Sequence, residues 1–212
     1  MTGARIGVTQ RVEDLPDRGE RRDALDQAWT SWIGQTGDLA VPIPNTTADV
    51  VAFVRAFELD AVVLSGGNDL AHLDGATNPA PERDATERAL LTHATDSGLP
   101  VLAVCRGMQM LVTFWGGAPT PLTGHVGVPH AIERVFSPWR LRAGPVNSFH
   151  DWGIAPDGVG ATLEVLASAP DGSVEAVAHR TLPQVGIMWH PERAVPDPAD
   201  RDLLAGLVGR AR

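Results

Sequence analysis

The chain has 212 residues, 43% of them apolar and 20% charged, with a formal charge of −9 and a pI near 5.1. That size and balance fit one globular α/β unit over residues 1–212. The acidity argues against a nucleic acid or an anionic membrane as partner, since both select a basic surface. The N-terminus carries no signal-peptide core, and no apolar run is long enough to span a bilayer. With a single cysteine, Cys105, no internal disulfide can form, so a reducing cytoplasm is the expected compartment.

Short apolar runs alternate with longer amphipathic ones. Arg5 to Thr9 reads as a strand. The spacing of Leu25, Ala28, Trp29, Trp32 and Ile33 predicts a helix over Arg22 to Gln35. Leu39 to Ile43 is a second strand, and Asn45 to Thr47 offer an N-cap for a helix carrying Val50, Val51, Val54 and Phe57. Ala61 to Leu64 is a fully apolar run that stops at Ser65-Gly66-Gly67. Glu82 to Thr95 is helical, Pro100 to Val104 is apolar, and a further helix follows Cys105 through Phe114. Leu163 to Ala167 and Ser173 to Ala178 flank the turn Pro170-Asp171-Gly172 and predict a hairpin. Val185 to Trp189 is a last core strand and Ala199 to Arg210 a closing helix. Strands apolar on both faces, separated by helices, predict a mostly parallel sheet covered on both sides. Ligands bind at the carboxyl ends of such strands, which directs attention to Ser65–Asp69, Cys105–Gln109 and His190–Glu192.

Ala103-Val104-Cys105-Arg106-Gly107 has small residues on both sides of a nucleophile, the pattern of a strand-to-helix elbow. Such a turn places the sulfur at a helix N-terminus, which favours the thiolate, and the amide of Arg106 can hold an oxyanion. Taken alone, Cys105 also fits a small buried hydrophobe. A thiol nucleophile needs a base and an orienting group. His190-Pro191-Glu192 ends a core strand, and residues two apart in extended chain point the same way, so Glu192 can reach the His190 imidazole. The glycines at 66 and 67 permit close approach, and the N–H of Gly67 is the candidate second oxyanion donor. Arg83, Asp84 and Glu87 form a charged group with Arg83 and Glu87 at i,i+4, which from spacing alone also reads as a surface ion pair.

Taken together, these pieces resemble the class I glutamine amidotransferase superfamily, within it the peptidase C26 group of γ-glutamyl hydrolases. The segments that carry the resemblance are Leu64-Ser65-Gly66-Gly67, Cys105-Arg106-Gly107-Met108-Gln109, Val146-Asn147-Ser148-Phe149-His150 and Gly186-Ile187-Met188-Trp189-His190-Pro191-Glu192. It implies a flavodoxin-like three-layer sandwich with a mostly parallel central sheet, a nucleophile elbow and a small antiparallel hairpin sheet. It also implies a Cys105-His190-Glu192 triad and a γ-glutamyl thioester intermediate, with no metal or cofactor. Arg106, where ammonia-donating members carry an apolar residue, resembles the stand-alone hydrolases of γ-glutamyl-γ-aminobutyrate. Further segments, among them Gly67-Asn68-Asp69-Leu70 and Arg83-Asp84-Ala85-Thr86-Glu87, resemble the γ-glutamyl-CDP-amidate hydrolases. His150-Asp151-Trp152 departs from the usual His-His-Gln form, so the acceptor side of the pocket is expected to differ.

The resemblance implies a small γ-glutamyl substrate, with Gly66, Asn68, Arg83, Glu87, Gln109, Asn147, Ser148 and His150 as its contacts. Arg134, Arg140 and Arg142 are further candidates for a phosphate-bearing leaving group, and Trp139 and Trp152 for substrate contact. A glutaminase subunit feeding ammonia to a partner synthase and a non-enzymatic thiol sensor stand as alternatives. A metal hydrolase is disfavoured, since His125 and His130 lie five apart in a Gly/Pro loop without a zincin motif. A homodimer is left open.

Overall fold

The computed structural model describes residues 3–135, 137–193 and 197–210. In chain order its strands and helices are β1 (Arg5–Thr9), β2 (Arg11–Leu15), β3 (Glu20–Ala24), α1 (Gln27–Gly34), β4 (Leu39–Ile43), α2 (Val50–Ala56), β5 (Ala61–Leu64), α3 (Pro81–Ser97), β6 (Val101–Val104), α4 (Arg106–Phe114), β7 (Pro119–Pro121), β8 (Glu133–Arg134), β9 (Trp152–Ile154), β10 (Leu163–Ser168), β11 (Val174–His179), β12 (Gln184–Ile187) and α5 (Pro198–Arg210). Among the described residues no helix is long and apolar enough to cross a membrane.

The main sheet runs β4-β1-β5-β6-β12-β11-β10-β8. Its first five strands are parallel, and the sheet continues antiparallel from β12 through β11 and β10 to β8. Residues on β5 and β6 are buried on both faces, which is why these strands read as unbroken apolar runs. Ala61 and Val63 join one apolar layer with Trp29, Trp32 and Ile33 of α1 and Leu203, Leu204 and Leu207 of α5. Val62 and Leu64 face the other layer, with Leu90 and Leu91 of α3 and Met108 and Leu111 of α4. Each of the Val, Leu, Ile and Met side chains among them, fully withdrawn from water, contributes roughly 1.5–3 kcal/mol. The result is the expected three-layer α/β sandwich with small antiparallel hairpins beside it.

The first helix is shorter than its apolar spacing predicts. Arg22 to Ala24 belong to β3, which pairs antiparallel with β2. Asp26 caps α1 by accepting from the Ala28 N–H at 2.9 Å, so the helix starts only after it. Asp23 is held in the extended stretch because its carboxylate accepts from the Asn45 backbone N–H (2.9 Å) and side-chain amide (2.7 Å). Asn45 is therefore a tether, and Asp49 caps α2 through the Ala52 N–H. Phe57 lies just past α2, half exposed against Phe53. The hairpin of β10 and β11 forms as expected, with β-bulges near Val165 and Ala167.

Candidate active site

The carboxyl ends of β1, β5, β6 and β12 bring Thr9, Ser65, Cys105 and the segment before His190 to one edge of the sheet. Cys105 sits between β6 and α4 with φ 52° and ψ −109°, a conformation that costs a non-glycine residue on the order of 1–3 kcal/mol. Neighbouring contacts enforce it. The Cys105 N–H donates to the Ile187 carbonyl at 2.8 Å, extending the ladder between β6 and β12. A Cβ on Gly107 would stand 2.1 Å from the Leu64 carbonyl oxygen, and one on Gly186 would stand 2.8 Å from Met108 Cγ. Only glycine lets α4 lie this close to the sheet, and that closeness aims the sulfur over the edge.

His190 is 2% exposed. Its Nδ1 lies 2.8 Å from Glu192 Oε1, whose side chain is fully buried. Asn147 grips the backbone of the same histidine twice, accepting from its N–H at 2.8 Å and donating to its carbonyl at 2.9 Å. A Cβ on Gly66 would stand 2.6 Å from His190 Cε1, so this glycine is what makes room for the ring. Burial by itself lowers the His190 pKa. The facing charge and hydrogen bond of Cys105, then those of Glu192, overcome it and raise the value to about 9. The arrangement favours an imidazolium facing the sulfur.

Ser65-Gly66-Gly67 is clamped from below by one side chain. Arg83 is 0% exposed. Its Nη2 donates to the Ser65 carbonyl (2.6 Å) and hydroxyl (3.0 Å), and its Nη1 to the carbonyls of Gly66 (3.0 Å) and Gly67 (2.6 Å). In a trans peptide the C=O and N–H point in opposite directions. Holding the Gly66 carbonyl toward the interior therefore turns the Gly67 N–H outward, and Gly67 at φ +83° lines the cleft beside Cys105. Arg83 in turn is bound by Glu87 (2.9 Å), which also accepts from Thr9 Oγ1 (2.8 Å) and pairs with Arg106. Arg106 pairs as well with Asp84. Burial works against the charge on Glu87, but Arg106 and Arg83 outweigh it and its pKa is lowered. Burial pulls Arg83 down to about 10, which leaves it charged at neutral pH.

The candidate residues fall into two groups. Gly67, Asn68, Cys105, Arg106, Gln109 and His150 line a cleft of about 190 Å³, closed by Phe149, Asp151 and Trp152. Gln109 Nε2 donates to the Trp152 carbonyl at 2.9 Å, which leaves its side-chain oxygen as an acceptor. Asn68 lines the cleft and pins the hairpin over it, accepting from the Val12 N–H and donating to the Val12 carbonyl.

The other residues stand behind the walls. Arg83 and Glu87 are wholly interior, because their charges are spent on the loop and on Arg106; they are not an exposed pair. Asn147 holds the His190 backbone, and the buried Ser148 hydroxyl donates to the His125 carbonyl. Trp139 packs in an apolar layer and lines a separate surface cavity with Arg134 and Arg140. Arg134 donates to the Leu141 carbonyl, while Arg140 and Arg142 pair with acids on or beside α5, so all three are engaged away from the cysteine cleft. Besides the buried Arg106, cations near the cleft include Arg11, whose side chain lies 3.5 Å from a Cβ built on Gly67, and Arg193, 5.7 Å above the Phe149 ring. Sequence spacing pointed to neither of these, since each depends on a fold-level contact.

The family model described as Peptidase C26 matches residues 5–130 and 130–192. The chain belongs to this family. It is 30% identical to a γ-glutamyl-CDP-amidate hydrolase of Campylobacter jejuni subsp. jejuni, over 89% of this chain and 90% of that protein. It is 29% identical to a γ-glutamyl-γ-aminobutyrate hydrolase of Escherichia coli O157:H7, over 91% and 87%. The crystal structure of a GMP synthase component from Thermoplasma acidophilum superposes with a TM-score of 0.71 at 17% identity, covering 99% of this chain and 94% of that one. That likeness shows the fold, a flavodoxin-like three-layer sandwich.

Proposed function

We propose that this peptidase C26 protein hydrolyses γ-glutamyl amides through a thioester on Cys105. The observation that carries the proposal is the strained cysteine at the head of α4, facing a buried histidine whose Nδ1 is held 2.8 Å from Glu192. The thiolate attacks the γ-carbonyl and forms a C–S bond, and the carbonyl electrons move to the oxygen. The N–H groups of Gly67 and Arg106 hold that oxyanion. As the tetrahedral species collapses, the C–N bond breaks and the His190 imidazolium protonates the leaving nitrogen. The neutral imidazole then takes a proton from water, hydroxide attacks the thioester, and the C–S bond breaks to release glutamate and restore the thiolate.

The glutamyl α-ammonium meets the free side-chain oxygen of Gln109 and the carboxylate of Asp151, both in the cleft. For the leaving group we favour a phosphoramidate such as CDP-amidate. The resemblance to the C. jejuni relative supports it, as do Arg11 and Arg193 near the cleft, because guanidinium forks suit phosphate oxygens.

Mass spectrometry of glutamate release from γ-glutamyl-CDP-amidate, γ-glutamyl-γ-aminobutyrate and glutamine tests both levels. Turnover of at least one γ-glutamyl amide, abolished in a folded Cys105→Ala variant, is expected. Undiminished turnover in that variant overturns the mechanism. Preference for aminobutyrate over the phosphoramidate leaves the mechanism standing and overturns the leaving group.

A further inference from the structure

Beside the cleft, and meeting it at His150, lies a second convergence of ionisable side chains that the proposed reaction does not use. Glu175, near the start of β11, is 0% exposed. His130 Nε2, His150 Nε2 and His125 Nδ1 surround its Oε1 at 3.3, 3.6 and 3.7 Å. The ligand atoms of His125, His130 and Glu175 all lie within 4.8 Å of one another. Neither Glu175 oxygen has a hydrogen-bond partner, nor do His125 Nδ1, His130 Nε2 or either nitrogen of His150. A buried carboxylate ringed by imidazoles at these distances is poorly satisfied by hydrogen bonds alone.

We propose that His125, His130 and Glu175 bind a divalent ion of the zinc class. Three observations carry the assignment. Donor atoms around one tetrahedral Zn²⁺ at about 2.0–2.2 Å stand about 3.3–3.6 Å from each other, close to the spacings around Glu175 Oε1. The donor set, imidazole nitrogen with one carboxylate, suits zinc and its first-row neighbours. Asp171 Oδ2 stands 2.8 Å from His125 Nε2, on the far side of the ring. That contact places the ring proton on Nε2 and leaves Nδ1 with its lone pair toward Glu175, the arrangement in which a carboxylate orients a metal-bound histidine.

The site joins a loop, the segment that crosses it and β11. His125 and His130 lie in a loop, and His150 in a segment that crosses it through the bridges Val126–Phe149 and His130–Val146. Val126 and Phe149 are exposed at 63% and 46%, so at that end the ribbon has little apolar anchorage, whereas Val146 at the other end is 1% exposed in the core. An ion would bind it to the main sheet through β11. Phe149, which closes the cleft and packs edge-on against His190, lies in the anchored stretch. The five-residue spacing of His125 and His130 carries no metal motif because the carboxylate comes from a strand 45 residues later.

Co²⁺ titration followed by d–d absorption, together with metal analysis after dialysis against Zn²⁺, tests the assignment on the whole chain. One ion per chain is expected, with higher thermal stability when bound and the same uptake in Cys105→Ala. His130→Gln is expected to lose at least tenfold in affinity. Asp171→Asn, a substitution at a largely exposed side chain that leaves the buried cluster intact, is expected to lose about 10–100-fold. No uptake by the wild type at micromolar metal overturns the proposal. So does unchanged affinity in His130→Gln and Asp171→Asn, or loss of binding in Cys105→Ala, which would place the ion at the thiol.

Discussion

Cys105 and His190 are coupled, and the coupling fixes how the site responds to pH. His190 is held protonated up to about 9, largely by the sulfur it faces. A raised histidine pKa means that the folded state binds this proton more tightly, so the stabilisation is complete below the ordinary histidine range and is lost as pH rises through 9. In the proposed mechanism the imidazolium is also the acid that protonates the leaving nitrogen. Turnover is therefore expected to fall on the alkaline side near pH 9. In Cys105→Ala the His190 titration, followed by NMR of the imidazole protons, is expected to move to lower pH. A titration unmoved by the substitution would show that the sulfur is not its cause.

Arg83 acts at the same scale without touching substrate. Lysine keeps the charge but cannot fork across the carbonyls of residues 65, 66 and 67. Arg83→Lys is expected to free the Gly67 peptide and lower kcat about 10–100-fold, with KM changed only a few-fold, since loss of one oxyanion donor costs roughly 10²–10³. A purely structural role would instead lower the yield of folded enzyme and leave kcat per active site intact. The i,i+4 spacing of Arg83 and Glu87 was legible in the sequence; their burial was not. It arises because α3 packs against α4, which brings Arg106 within reach of both acids.

Among the elements, α5 closes one face of the sheet and is secured by Asp200. The Trp189 indole N–H donates to its carboxylate at 3.1 Å, and Arg142 Nη1 lies 3.2 Å from it. Burial raises its pKa to about 6, although Trp189 and Arg142 both work to lower it. For an acid raised in the folded state, stability is lost as pH climbs from the ordinary aspartate range through about 6. Asp200→Asn is expected to gain on the wild type across that window in urea unfolding, by a few kcal/mol at most. A difference independent of pH would mean that Asp200 titrates normally.

The elements also divide by how their sequences could be read. β5, β6 and β12 were legible because burial on both faces leaves mainly apolar residues in them. The hairpin of β2 and β3 was not: Glu20 to Asp23 are exposed, and what holds them extended is Asn45 in a distant turn. The helical spacing after Leu25 ran on past a start that only the Asp26 cap defines.

For the molecule as a whole, the three-layer fold and the residues at its strand ends could be read from the chain, since both follow from local pattern and from where parallel strands end. The charge network under the oxyanion loop and the imidazole cluster around Glu175 could not, because each joins residues from separate elements. Strand order has a consequence for synthesis. β12, which precedes the histidine, lies between β6 and β11, so a central position in the sheet stays empty until residues 184–187 have been made. At about 5–20 residues per second, His190 emerges on the order of ten seconds after Cys105. Until then the growing chain holds the thiol without the histidine that the proposed mechanism needs as acid and base.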